Sequence, residues 1–163
     1  MITIREPVIE DAQKIEKEAS NPNIGKTCNV PFPYPKGGGH SFIQRVTLGR
    51  QEKRQFAFVV ECNNIFSGIV TLNDVDYSKQ KAALDYWIAF SQWNKGIGTE
   101  AARLAISYAK ESLNLDHLFS ACLCGNPGSG AVLIKNGFKE IGRFTFKEGK
   151  FCGKEAIRFC KFL

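Results

Sequence analysis

Three consecutive strand-like segments with short connections restrict the fold of this chain more than any other feature. Residues 55–62, 65–75 and 81–90 are rich in β-branched, aromatic and other apolar side chains, which is typical of strands. Only Asn63 and Asn64 separate the first two segments, and this spacing predicts a tight hairpin. Such short connections favour antiparallel pairing, because a parallel crossover needs a dozen or more residues. The three predicted strands therefore argue against a doubly wound dinucleotide-binding fold.

Helices and further strands surround these three strands. Apolar residues at helical spacing predict helices at residues 9–20, 41–48, 96–112 and 126–138. Further strands are predicted at residues 2–6 and 116–124 and in a C-terminal hairpin that turns near Glu148–Gly149. We expect a loop at residues 31–40, which hold three prolines and three glycines. The order of elements predicts one α+β domain over residues 1–163, with a mixed sheet.

Composition and charge narrow the classes of function. The 163 residues are 44% hydrophobic and 23% charged, and no apolar run approaches the ~20 residues of a membrane helix. The N-terminus lacks the pattern of a secretory signal, so we expect a cytoplasmic protein with no membrane partner and with its six cysteines reduced. With two histidines and no C-x-x-C pair, we expect no metal site. The net charge of +6 is compatible with nucleic acid, an anionic cofactor or an acidic partner.

A glycine-rich loop, QWNKGIGTE at residues 92–100, precedes the third predicted helix. It is not the phosphate loop of nucleotide hydrolases, which requires Gly-Lys-Ser/Thr. Gly96, Gly98 and Ala101 match a dinucleotide fingerprint, but the nearest acidic residue, Asp116, precedes the next strand instead of ending it. Another interpretation is a diphosphate site made by main-chain N–H groups from Asn94 to Thr99 at a helix N-terminus. A tight turn without any ligand is the alternative.

Two longer motifs resemble the GNAT superfamily of N-acetyltransferases, in the branch of the ribosomal-protein acetyltransferases RimJ and RimL. The first is Tyr86–Trp87 followed by WNKGIGTEA at residues 93–101. The second is NPGSGAVLIKNGF at residues 126–138, and the proline-aromatic segment at 31–35 also resembles this branch. The resemblance covers most of the chain. It implies a mostly antiparallel sheet of about seven strands flanked by about four helices.

The resemblance also implies acetyl-CoA as the co-substrate. Its diphosphate would bind the loop of Asn94, Lys95, Gly96, Ile97, Gly98 and Thr99. The pantetheine arm would lie along the strand edge of Trp87, Ile88 and Ala89, where a free N–H near Ile88 would polarise the thioester carbonyl. Asn126 would meet the pantetheine directly or through water. Lys135 would reach the adenosine 3′-phosphate, although a solvated lysine is an equal alternative.

The reaction implied by the resemblance is direct attack of a primary amine on the thioester. Many relatives carry a glutamate base and a tyrosine acid where this chain has Ala83 and Leu133. Asp85 lies two residues after Ala83 and therefore on the same strand face, so it is the candidate base; an exposed or ion-paired carboxylate is the alternative. Ser129 is the candidate acid, with capping of its helix as the alternative. Phe32, Tyr34 and Tyr86 are candidates for the acceptor pocket or for packing.

Three functions remain open at this stage. The first is an N-acetyltransferase acting on a protein N-terminus or on a small amine such as a polyamine, amino acid or antibiotic. The second is a regulatory module that binds acyl-CoA without catalysis, since the glutamate and tyrosine are missing. The third is an RNA- or ribosome-associated protein, although no aromatic-basic motif supports nucleic-acid binding. A homodimer is compatible with each of them.

Overall fold

A seven-stranded mixed sheet forms the centre of the protein. A computed structural model describes every residue from Met1 to Leu163. The strands are β1 (Ile2–Arg5), β2 (Phe56–Cys62), β3 (Ile65–Asp76), β4 (Lys81–Ile88), β5 (His117–Leu123), β6 (Lys139–Thr145) and β7 (Glu155–Phe162). Their order is β1-β2-β3-β4-β5-β7-β6, and every pair is antiparallel except β4 with β5. The predicted α+β class and the antiparallel pairing of β2, β3 and β4 are confirmed.

The sequence prediction missed one helix. The helices are α1 (Ala12–Ala19), α2 (Pro22–Gly25), α3 (Gly38–Gln51), α4 (Ile97–Glu111) and α5 (Pro127–Lys135). The missed helix is α2, which begins at a proline and is capped by Asn21, whose side chain accepts from the N–H of Asn23 at 2.9 Å. In addition, α3 starts three residues earlier than predicted. No helix combines the length and the apolar character needed to cross a membrane.

The helices cover the two faces of the sheet. On one face, α4 and Leu133 of α5 pack over a large core that includes Leu84 and Ile88 of β4. On the other face, α1 and α3 pack over a smaller core, with Trp87 of β4 at its border. Neighbouring residues of β4 therefore point to opposite faces, as in any strand. We call these the α4 face and the α3 face.

The packing of α4 differs in part from the prediction. Ile97, Ala101 and Ala105 are buried as expected. The helical spacing of apolar residues also predicts that Leu104 and Tyr108 are buried, but they are only partly covered. Ala102 and Ala109 are fully buried instead, and their short side chains let the helix lie close to the sheet. The prediction was wrong at these positions because the alanines, and not the two larger side chains, face the sheet.

The parallel pair β4–β5 separates soon after it forms. Lys81, Ala82 and Ala83 pair with residues 117–119, and no pairing follows, although β4 continues to Ile88. The last link is a side chain: Ser120 Oγ donates to the carbonyl of Leu84 at 2.7 Å. The two strands therefore diverge, and the divergence opens a gap that connects the two faces of the sheet.

Candidate active site

A cleft of about 1230 Å³ lies at the gap between β4 and β5. The beginnings of α4 and α5 line it on one side, and α3 with residues 27–31, 34 and 35 lines it on the other. Phe146 and Phe151, from the connection between β6 and β7, complete the wall. Its volume exceeds the ~300–1,000 Å³ usual for a pocket that holds one small ligand. The cleft therefore has room for an extended molecule together with a second reactant.

The beginning of α4 presents a row of unused hydrogen-bond donors to this cleft. Gly96 precedes the helix in the left-handed conformation (φ 75°), and no side chain caps the helix. None of the main-chain N–H groups from Asn94 to Thr99 has a hydrogen-bond partner in the protein. Unpaired N–H groups and the positive end of the helix dipole both attract anions. The site is suited to a phosphate or diphosphate group.

Gly98 is a glycine that the packing of the protein does not require. A Cβ at this position would lie 3.5 Å from Ile88 Cγ1 and 3.6 Å from Val132 Cγ2, which are ordinary contacts. Gly96 differs, because its positive φ favours glycine whether or not a ligand binds. Lys95, by contrast, turns its Nζ back to the carbonyl of Ser91 at 3.0 Å and does not line the cleft. Of the predicted loop, the backbone and not the lysine side chain faces the cleft.

Alternate residues of β4 present their main-chain groups to the gap. The N–H of Ala89 donates to Ser67 on the β3 side at 2.8 Å. By alternation the N–H and carbonyl of Ile88 face the opposite side, where β5 has already diverged. The Ile88 carbonyl accepts from Trp93 Nε1 at 2.7 Å. Of the three residues predicted for the edge, only Ile88 turns its main chain to the gap. Trp87 pairs with β3, and Ala89 donates its N–H to Ser67 and accepts from the N–H of Gln92.

Asp85 belongs to a chain of polar side chains on the α3 face. Its Oδ2 accepts from Asn73 Nδ2 at 2.6 Å, and Asn73 Oδ1 accepts from Gln55 Nε2 at 2.7 Å. The carboxylate makes no ion pair, so the ion-paired alternative is wrong. Asp85 is exposed where it lines the cleft, as the other alternative predicted. The protein around the cleft still desolvates the carboxylate, which raises the pKa of Asp85 above its ordinary value against the opposing effect of the Asn73 hydrogen bond.

Ser129 and Tyr86 form a hydroxyl pair on the α4 face. The two hydroxyl oxygens lie 2.9 Å apart, and Tyr86 Oη is also 3.0 Å from the carbonyl of Ser129. The cap of α5 is Asn126, whose Oδ1 accepts from the N–H of Ser129 at 3.3 Å. The alternative that Ser129 caps its helix is therefore wrong. Burial raises the pKa of Tyr86, so the phenol stays protonated at neutral pH.

The remaining predicted residues divide between the cleft and its surroundings. Asn126 lines the cleft, but its Nδ2 already donates to the carbonyl of Thr27 at 3.3 Å. Lys135 is exposed and lines the cleft beyond the start of α5. Tyr34 lines the cleft on the α3 side, whereas Phe32 packs against Gly25 and does not line it. A Cβ on Gly25 would lie 2.6 Å from Phe32 Cβ, so the ring is held away from the cleft.

Sequence reasoning did not select Gln55, Asn73, Arg45 or Asn136. The first three line the α3 side of the cleft. Asn136 Nδ2 joins α4 to α5 by donating to the carbonyls of Thr99 at 3.1 Å and Val132 at 2.9 Å. Gln55 and Asn73 come near Asp85 through the pairing register of β2, β3 and β4. Knowledge of that register would have identified both residues. No comparable signal exists for Arg45, since its position depends on the packing of α3.

Comparisons with known proteins agree with this architecture. Residues 1–139 match the family model described as Acetyltransferase (GNAT) domain. A putative ribosomal N-acetyltransferase, YdaF of Bacillus subtilis, is 34% identical over 105 residues, which are 61% of this chain and 57% of that protein. Spermidine N(1)-acetyltransferase of Escherichia coli K12 is 32% identical over 108 residues, 64% of this chain and 57% of the enzyme. The chain thus aligns with little more than half the length of these relatives.

A solved structure reproduces the whole fold. RimJ of Mycobacterium smegmatis, in complex with CoA-disulfide, superposes with a TM-score of 0.90 at 19% identity, over 99% of this chain and 81% of that one. The ribosomal relative agrees with the branch predicted from the sequence, and this neighbour confirms the fold. Because the family match covers most of the residues, the chain belongs to the GNAT acetyltransferase family.

Proposed function

We propose that this protein is an N-acetyltransferase that moves an acetyl group from acetyl-CoA to a primary amine. The observation that carries the proposal is the row of unpaired N–H groups from Asn94 to Thr99 at the edge of the cleft. A diphosphate has the charge and the acceptor oxygens to satisfy these donors. The Mycobacterium smegmatis neighbour is described as a complex with CoA-disulfide. This description supports coenzyme A as the molecule that carries the diphosphate.

The rest of the coenzyme would follow the gap from α4 toward β4. Lys135 and Asn126 both line the cleft. Lys135 would bind a phosphate at its outer end, and Asn126 would lie beside the pantetheine arm. The N–H of Ile88 would donate to the thioester carbonyl and then to the oxyanion that forms on attack. One such donor contributes roughly 3 kcal/mol of transition-state stabilisation.

The two faces of the sheet would supply different parts of the chemistry. The acceptor amine must lose a proton, and an α-amine with a pKa near ~8 loses it more readily than a lysine amine near ~10.4. Asp85, on the α3 face, would take this proton through water. On the α4 face, the pair of Ser129 and Tyr86 would donate a hydrogen bond to the departing thiolate. No covalent acyl-enzyme is needed.

The experiment is a panel of amines incubated with the purified protein and acetyl-CoA. Thiol release gives the rate, and mass spectrometry of the products identifies the acetylated amine. The panel includes peptides with free N-termini and spermidine, because the relatives are named for a ribosomal acceptor and for spermidine. Acetylation of any amine, with heat of CoA binding in calorimetry, supports the proposal.

The main competitor is a module that binds acyl-CoA without turnover. Ala83 and Leu133 favour it, because they replace the glutamate and tyrosine of many relatives. Thermal protection by CoA with no product from any amine would establish that function instead. An absence of any CoA binding would overturn both.

A further inference from the structure

We infer that the amine acceptor also carries an oxyanion, a carboxylate or a phosphate, and that Arg45 binds it. This inference rests on the proposed acetyl transfer, because it concerns the acceptor side of the same cleft. Its basis is the distribution of charge in the cleft. Only three charged side chains line it, Arg45, Asp85 and Lys135. Lys135 lies on α5 with the proposed coenzyme, so Arg45 is the single cation on the α3 face.

Arg45 differs from most arginines of this protein in having no anionic partner. Five others contact a carboxylate: Arg5, Arg50, Arg54, Arg103 and Arg143. Arg158 has none either, but it lies over the ring of Phe144 and does not line the cleft. Glu16 on the neighbouring α1 accepts from the N–H of Gly37 at 3.1 Å and does not pair with Arg45.

Arg45 is exposed at the cleft, and the donors of its guanidinium are unused. Its guanidinium carbon lies 5.4 Å from the centre of the Phe42 ring, within the range of a cation–π contact. It makes no hydrogen bond within the protein. The N–H groups on its edge remain free, and their fork geometry matches the two oxygens of a carboxylate or phosphate. An arginine in this state within a ligand cleft has the chemistry of an anion subsite.

A chain of contacts relates Arg45 to the proposed base. Gly49 follows Arg45 by one turn of α3, about 5.4 Å along the helix. A Cβ on Gly49 would lie 2.9 Å from Gln55 Oε1, a buried atom without a hydrogen-bond partner. Gln55 leads through Asn73 to Asp85. An acceptor whose amine lies near Asp85 can therefore place an acidic group on the same wall of the cleft, toward Arg45.

The same charges disfavour a polyamine. Spermidine carries several positive charges and no anion, and on the α3 face it would meet the unpaired guanidinium of Arg45. Asp85 is the only carboxylate that lines the cleft. We therefore expect the acceptor preference to differ from that of the spermidine acetyltransferases among the relatives.

Matched acceptors test this inference. The peptides Ser-Asp-Asp-Ala-amide and Ser-Asn-Asn-Ala-amide have the same α-amine and differ in charge alone, and phosphoethanolamine with ethanolamine makes the corresponding phosphate pair. The dipeptide Ser-Asp distinguishes a small acceptor from a longer peptide, and spermidine completes the set. We expect kcat/KM to be about tenfold or more higher for an acidic member than for its neutral partner. Whichever pair shows the preference identifies the anion.

Variants separate a local contact from the overall charge. Arg45→Gln should lower kcat/KM for the acidic acceptor to the level of the neutral one, with unchanged CoA affinity. Arg103→Gln removes the same charge from the outer side of α4, away from the cleft, and should preserve the preference. Equal use of acidic and neutral acceptors, or an equal effect of both variants, would overturn the inference. In that case acetylation of the neutral acceptors would leave the proposed function intact.

Discussion

Replacement of Gly98 by alanine separates ligand binding from folding at the start of α4. The new methyl group would make only ordinary contacts, at 3.5 Å and 3.6 Å, with Ile88 and Val132. Since alanine is also favoured over glycine in a helix, we expect Gly98→Ala to raise the free energy of unfolding by up to about 1 kcal/mol. In the protein with coenzyme, however, we expect the same methyl group to take space that a diphosphate bound at the N–H row would need.

The expected loss of affinity follows from the hydrogen bonds that the methyl group would prevent. Charge-assisted bonds contribute about 1.5–3 kcal/mol each. Losing one of them weakens CoA binding by roughly tenfold to a hundredfold. Calorimetric titration with CoA measures the affinity, and urea denaturation of the same protein measures the stability. The variant should therefore be as stable as the wild type or more so, but bind the coenzyme poorly.

A matched glycine provides the control. A Cβ on Gly142, in β6, would meet nothing within 4 Å, and this residue does not line the cleft. Gly142→Ala should leave CoA affinity unchanged. If Gly98→Ala binds CoA as tightly as this control does, the diphosphate does not lie on the N–H row, and the argument from unpaired donors is refuted.

Three further predictions concern the hydroxyl pair, the carboxylate in the cleft and a buried ion pair. In steady-state kinetics, Ser129→Ala and Tyr86→Phe should each lower kcat about tenfold to a thousandfold, with little change in the KM for acetyl-CoA. The decrease in kcat of the double variant should be smaller than the product of the two single decreases. Because burial raises the pKa of Asp85, the low-pH limb of the kcat/KM profile should lie above the ordinary carboxyl range, and Asp85→Asn should remove that limb. Burial acts to raise the pKa of Asp11, but hydrogen bonds from Arg5 at 2.8 and 2.9 Å outweigh it and lower the pKa. Asp11→Ala should therefore cost about 3 kcal/mol of stability near neutral pH, and in urea denaturation the deficit should shrink as the pH falls through the lowered pKa.

The local patterns in the sequence predicted most of the fold, and the main error shows what they lack. Residues 37–39 are three glycines and were assigned to a loop, yet α3 begins at Gly38. A Cβ on Gly39 would lie 2.0 Å from the carbonyl oxygen of Ala12, so glycine is needed there for the close contact of α3 with α1. A glycine required by packing cannot be distinguished from a loop glycine in one sequence.

The motifs likewise pointed to the α4 side of the cleft but not to its α3 side. Placing Gln55 beside Asn73 requires the register of β2 on β3, and the hairpin at Asn63–Asn64 alone would set that register one residue away. A bulge between Val60 and Glu61 shifts the pairing so that Phe56 lies opposite Leu72. Since a shift of one residue moves every side chain to the other face, the polar chain on the α3 face depends on this bulge. The sequence gives no direct sign of it.

The gap between β4 and β5 is what lets the two halves of the proposed chemistry meet. Asp85 and Tyr86 are neighbours in sequence, but the sheet separates their side chains to opposite faces. Had β5 stayed paired with β4 up to Ile88, it would have taken the N–H and carbonyl of that residue and closed the passage. The carbonyl is instead bound by Trp93 Nε1 at 2.7 Å, and the indole occupies the edge where β5 would lie. The loop that precedes α4 therefore supplies the proposed anion site and also binds the strand edge that β5 leaves free.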